Sequence, residues 1–362
     1  MKHMILNLRS VLMAAGIAAL FCLSGCGRLY AKTPLIQALT ASGEAKEESQ
    51  PKEDKTVLLL THSATSFSAT QKIAGEFKSS AERLSGGQLE VEIFPNDTLG
   101  YVGDYNKPLQ NGSVEMRIGP AVGNTAMAAL WSPSFTGASL EQLNEILSKG
   151  PVREQIEAEA LMDGVRILSV LPAQFRVLTS NEKIETIQDF SRLHIRVFSD
   201  SRAETAYWQS LGAETHVFDI HQVYSALQQG IVNSQENTLP IIIANSLQRQ
   251  QKYMIRTDHK IYFDCVMVGS AFFDSLSADQ QNILTEAAAG LAEYAKKIDS
   301  QELARYGEAI GQAGGETVLL SEELLSLMRA TAGAKEEAVL RESIGDEAVD
   351  LVLDAIAKTE FQ

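Results

Sequence analysis

The stretch from Gln174 to Pro240 reads QFRVLTSNEKIETIQDFSRLHIRVFSDSRAETAYWQSLGAETHVFDIHQVYSALQQGIVNSQENTLP. Two arginines, Arg176 and Arg196, each interrupt a short apolar run with the pattern of a strand. Around the second, Leu193, Ile195 and Val197 alternate with His194, Arg196 and Phe198, which places the two sets on opposite faces. A third run, IVNSQEN, ends on Asn237. A buried guanidinium without a counter-charge is very costly. Either acids inside the chain pair with these arginines, or an anion from outside does. An anion from outside is the expectation.

Outward from this stretch, VLLLTH (57–62), Gln88–Phe94, Val114–Ile118, Val165–Val170 and Ile261–Ser270 carry strand patterns. Helical spacing fills the intervals Phe67–Leu84, Val102–Gln110, Leu140–Met162 and Ile220–Gln229. Strands alternating with helices predict an α/β fold with largely parallel pairing. A long helix is predicted to start at Ser277 and run towards Ile310, and Ser321–Lys335 and Asp346–Lys358 close the chain. No element is assigned to Ala121–Ser139.

The N-terminus has the order of an export signal. Lys2 and Arg9 precede an apolar run, Val11–Leu23, that is short for a membrane span. It ends in Leu23-Ser24-Gly25-Cys26, which resembles the lipobox of bacterial lipoproteins and makes Cys26 the lipid-modified residue. The rival reading is an ordinary signal peptide that ends near a cysteine. Residues 26–55, with EAKEESQPKEDK, have too little apolar surface to offset ordering entropy and are predicted to be a flexible tether.

The net charge of −15 becomes −17 (−15 − 2) once Lys2 and Arg9 leave with residues 1–25. That balance argues against nucleic-acid partners, and any anion site must be built from local charges. Only Cys265 remains after Cys22 and Cys26, so an internal disulfide is excluded; its apolar run makes it a core residue. His62, His194, His216, His221 and His259 show no metal-ligand spacing, and no nucleophile elbow or phosphate loop is present. No metal, cofactor or catalytic residue is therefore expected.

The motifs SGGQLEVEIFPNDTLG (85–100), FRVLTSNEKIETIQDFSRLHIRV (175–197) and LGAETHVFDIHQVYSALQQGIVNSQEN (211–237) resemble the substrate-binding proteins of TRAP transporters, the C4-dicarboxylate- and sialic-acid-binding receptors. The resemblance covers most of Thr56 to about Glu308. It implies a two-lobed, periplasmic-binding-protein-like α/β fold with a long helix spanning both lobes. Residues 56–173 form the first lobe, to which about 262–300 return; 174–261 form the second, with about 301–362 packing on it. It further implies that Arg196 makes a two-pronged salt bridge to a ligand carboxylate, with Arg176 and Asn237 as further contacts. The implied partners are a small organic acid and membrane permease subunits, with the chain a monomer anchored outside the cell membrane. Asn233-Ser234 and Thr238 depart from the family's usual residues around Q-E-N, and the usual apolar first-lobe segment is missing near Leu130–Phe135. A ligand-sensing lipoprotein serving a receptor kinase and an exported hydrolase are the alternatives.

Overall fold

The structure, a computed structural model, describes residues 55–99, 106–120, 134, 136–197 and 202–359. The expected signal segment, Cys26, the expected tether to residue 54 and the segment 121–133 lie outside the described residues. The first strand, β1 (Thr56–Thr61), leads into a helix, Ala69–Leu84, whose Ser68 side chain accepts from the Gln71 amide. Gly86 and Gly87, both at positive φ, turn the chain into β2 (Leu89–Phe94), which lies parallel to β1. Next come β3 (Met116–Gly119), the helices Leu140–Ser148 and Pro151–Met162, and β4 (Val165–Val170). The single helix expected over 140–162 is thus two. Gly150, at φ 84, and Pro151 break it, because proline suits the first turn of a new helix and not the interior of an old one.

The chain then crosses to a second sheet through β5 (Gln174–Phe175) and enters β6 (Val177–Ser180), β7 (His194–Val197), β8 (Glu214–Val217), β9 (Ser234–Asn237) and β10 (Tyr253–Arg256). It returns through β11 (Ile261–Tyr262), which pairs antiparallel with β5, to β12 (Cys265–Gly269). After two more long helices, β13 (Glu316–Leu319) rejoins the second sheet. The first sheet has the order β2-β1-β3-β12-β4 and the second β13-β10-β6-β9-β7-β8. Both are mixed, not largely parallel. The returning strand β12 runs antiparallel to β3 and β4, and β6 is antiparallel to β9 and β10. The expected architecture of two α/β lobes holds.

The central strands of each sheet are buried on both faces. Along β12, Cys265 and Met267 enter one core cluster, while Val266 and Val268 enter the other. Val177 and Leu178 divide in the same way in the second lobe. This period of two is what fills both sides of a covered sheet. Cys265 is a fully buried free thiol.

The expected long helix is interrupted at Gly290, giving Ala278–Ala289 and Leu291–Gln312. The latter is the bridge: Ala295 and Ile298 pack in a first-lobe cluster, and Ile310 packs in a second-lobe cluster. The final helix, Asp346–Thr359, does not rest on the second lobe alone as expected. Val352 and Ile356 join the first-lobe core beside Leu143 and Ile156, while Val349 packs with Ala203 and Leu340.

Candidate functional site

The crossing strands leave a cleft between the lobes. Its cavity, about 150 Å³, has Ser63, Thr65, Thr70 and Asp97 on the first-lobe wall. Arg176, Arg196, Asp219 and Asn237 stand on the second-lobe wall. Tyr262 and Asp264 come from the crossing strand, and Asp299 from the bridging helix. The three residues singled out from the sequence therefore reach one cavity, although they lie on three different segments.

Their circumstances differ. Arg196 sits at the third position of β7, 1% exposed. Its Nε and Nη2 donate to the carbonyl oxygen of Phe218 at 2.9 and 2.7 Å. Phe218 follows directly on β8, the parallel neighbour of β7, and precedes Asp219, which caps the helix Ile220–Gln228. The sheet register thus aims the guanidinium before any ligand arrives. Burial lowers the pKa of Arg196 to about 10, against the opposing influence of Glu236.

Arg176 lies between β5 and β6, equally buried, and its amide donates to the Lys260 carbonyl at 2.8 Å. Its side chain is held by Glu236 of β9. Nε donates to Oε2, and Nη2 donates to Oε1 at 2.6 Å and to the Glu236 carbonyl at 2.9 Å. Burial disfavours its charge, yet the Glu236 carboxylate outweighs that cost and raises the pKa of Arg176. Burial alone would likewise raise Glu236, but Arg176 and the nearby His259 hold it well below the usual carboxylate range. Arg176 thus has an internal acid for a partner, the other of the two alternatives open from the sequence, while it still lines the cavity. The cause is strand pairing: β6 and β9 run antiparallel with Leu178 opposite Glu236, which brings the acid to the end of β6 where the arginine stands.

Asn237 is 3% exposed, and its Oδ1 accepts from the Thr238 amide at 3.1 Å, just ahead of the helix Leu239–Ala244, for which Thr238 is the N-cap. Behind the arginines, Lys260 donates to the buried Glu204 at 2.8 Å. His259 Nδ1 stands 2.8 Å from Thr257 Oγ1.

The sequence reading missed Glu236 and the acids around the rest of the cavity. Burial raises the carboxyl groups of Asp97, Asp264 and Asp299. The Tyr262 hydroxyl donates to Asp264 at 2.7 Å. Glu236 carried a signal in the sequence, since an acid inside the apolar-flanked SQEN run needs a cation as much as the arginines need an anion. Asp264 and Asp299 carried none, because their places depend on how the two lobes meet.

The model of the bacterial extracellular solute-binding proteins, family 7, matches residues 60–340. A solute-binding protein of Roseobacter denitrificans is 30% identical over 280 residues, covering 76% of this chain and 85% of that protein. The C4-dicarboxylate-binding periplasmic protein DctP of Rhodobacter capsulatus is 25% identical over 339 residues, 92% of this chain and 98% of its own length. A crystal structure of the Roseobacter protein, a TRAP periplasmic solute-binding protein with bound L-galactonate, superposes with a TM-score of 0.70 at 25% identity, covering 83% of this chain and 99% of that one. With the family's model spanning both lobes and the cleft between them, this chain belongs to the bacterial extracellular solute-binding proteins of family 7.

Proposed function

We propose that this protein is the extracytoplasmic receptor of a TRAP-type secondary transporter, and that it captures a small organic acid by docking the carboxylate on Arg196. The observation that carries the reading is a buried guanidinium, fixed by the Phe218 carbonyl, on the wall of a cleft between two lobes. A planar guanidinium offers parallel donors to a carboxylate, which makes arginine better suited than lysine to a dry site. Arg176, locked on Glu236, contributes a polar wall, and Asn237 offers its amide. Closure of the lobes over the ligand excludes water and strengthens the ion pair. The closed form is delivered to membrane permease subunits, and Cys26 carries the lipid that keeps the monomer at the outer face of the membrane. No residue acts catalytically in this account.

The other walls narrow the ligand. Asp97, Asp219, Asp264 and Asp299 present carboxyl groups, and Ser63, Thr65 and Thr70 present hydroxyls. A second carboxylate on the ligand would meet like charge there, whereas hydroxyl groups would meet acceptors. A polyhydroxylated monocarboxylate, of which the L-galactonate held by the Roseobacter relative is an example, fits better than a dicarboxylate. Calorimetric titration with L-galactonate, D-gluconate and succinate tests this. The expected result is binding of a hydroxy acid at least about tenfold tighter than succinate, a difference of about 1.4 kcal/mol. Tighter binding of succinate would overturn the ligand class, and an Arg196→Lys variant that binds as the wild type does would overturn the docking mode.

A further inference from the structure

Parallel pairing of β7 with β8 sets His194 opposite Glu214 and Arg196 opposite His216. Side chains two apart on a strand share a face, so His194, Glu214 and His216 converge on one side of the sheet. His194 Nδ1 lies 3.2 Å from Glu214 Oε2, and His216 Nε2 lies 3.2 Å from Glu214 Oε1. One ligand-type atom from each residue falls within 4.8 Å of the others, and the two imidazole rings stack with centroids 5.9 Å apart. His194 and Glu214 are exposed and His216 is partly so.

We propose that His194, Glu214 and His216 form a zinc site separate from the acid-binding cleft. Two imidazole nitrogens and one carboxylate oxygen are a common donor set for this ion. With bonds of about 2.0–2.1 Å, neighbouring ligand atoms of a tetrahedral zinc site lie about 3.3 Å apart, which is the spacing Glu214 already keeps to each histidine. The fourth position faces solvent and takes water. The ligands come from two strands, and β8 is the edge of the sheet, so the ion would staple the edge strand to β7. The chain leaves β8 for Phe218, whose carbonyl holds Arg196, so the staple would steady the frame of the cleft without entering it. The linear sequence hid this site, because its histidines stand far apart and only the register unites them. The pair Glu214-Thr215-His216, alternating along one strand, was the part that could have been read.

The test is calorimetric titration of the chelator-stripped protein with zinc chloride, repeated with His194→Ala, His216→Ala and Glu214→Gln. The expected result is one zinc per chain in the wild type and at least about tenfold weaker binding in each variant, with unchanged urea unfolding of the metal-free proteins, since the site is at the surface. Calcium and magnesium, which prefer oxygen ligands, are expected not to compete. Glu214→Gln separates the proposal from a mere hydrogen-bonded cluster, because glutamine can still accept from the rings but lacks the anionic ligand. Absence of zinc binding in the wild type, or equal binding in all three variants, would overturn the site. The outcome does not depend on which acid the cleft takes.

Discussion

Arg176 and Arg196 looked alike in the sequence, each a cation inside an apolar strand, and the fold separates them by a single residue, Glu236. The consequence for stability is direct. Glu236→Ala leaves Arg176 buried without its carboxylate, and the expected loss is about 3–5 kcal/mol in urea unfolding. In the double variant Arg176→Met, Glu236→Leu, most of that loss is expected to be recovered, because neither partner is left stranded. The pH dependence has a definite sign. Glu236 is depressed in the folded state, so its contribution is complete above its ordinary value of about 4.5 and is lost as pH falls through the depressed one. Asp264 is raised by burial, so its contribution is present below its ordinary value and is lost as pH rises through the raised one. Asp264→Asn keeps an acceptor for the Tyr262 hydroxyl but carries no charge. It is therefore expected to unfold at higher urea concentration than the wild type at neutral pH, the difference shrinking towards about pH 4. What the sequence made legible here was the cations. Their partners were not legible, since an acid on another strand becomes a neighbour only through register.

Elements whose signals were local emerged close to their predicted spans: β1, β2, β4, the helix Ala69–Leu84 and the helix Ile220–Gln228 each have an uninterrupted apolar period. Misreadings fell where one pattern ran through a break. The helical period continues across Gly150-Pro151 and across Gly290, so spacing alone joined pairs of helices that the backbone divides. Likewise the apolar pair Ile231-Val232 drew the expected strand too early. The ladder begins at Ser234, on polar residues that the sheet buries completely. Gly290 is at φ −84, and a methyl group there meets no atom within 4 Å. Gly290→Ala is thus expected to stabilise by about 0.5–1 kcal/mol in chemical unfolding through a less flexible unfolded chain. Gly269 is the opposite case: an added Cβ would sit 2.5 Å from the Leu109 carbonyl oxygen. Gly269→Ala is expected to cost about 1–3 kcal/mol, since backbone on both sides resists the shift.

For the molecule as a whole, two sheets meet at the paired crossing strands β5 and β11, and the bridging helix Leu291–Gln312 packs in both lobes. The cleft acids belong to this scale, because Asp97, Asp219, Asp264 and Asp299 reach one cavity only through the way the lobes face each other. Three partly buried carboxyl groups held above their ordinary values cost stability at neutral pH, and a ligand rich in hydroxyl donors would offset that cost. At the other end of the chain, the proposed anchoring predicts that Cys26→Ser moves the protein from the membrane fraction to the soluble one without altering acid binding, since the proposed anchor and the cleft use separate parts of the sequence. The central claim, that a ligand carboxylate docks on Arg196, is tested most directly by native mass spectrometry of the wild-type protein and Arg196→Lys purified in parallel. The expected result is a small acid carried by the wild type and lost from the variant, with circular dichroism showing the same fold. Retention of the same acid at the same occupancy by Arg196→Lys would contradict it.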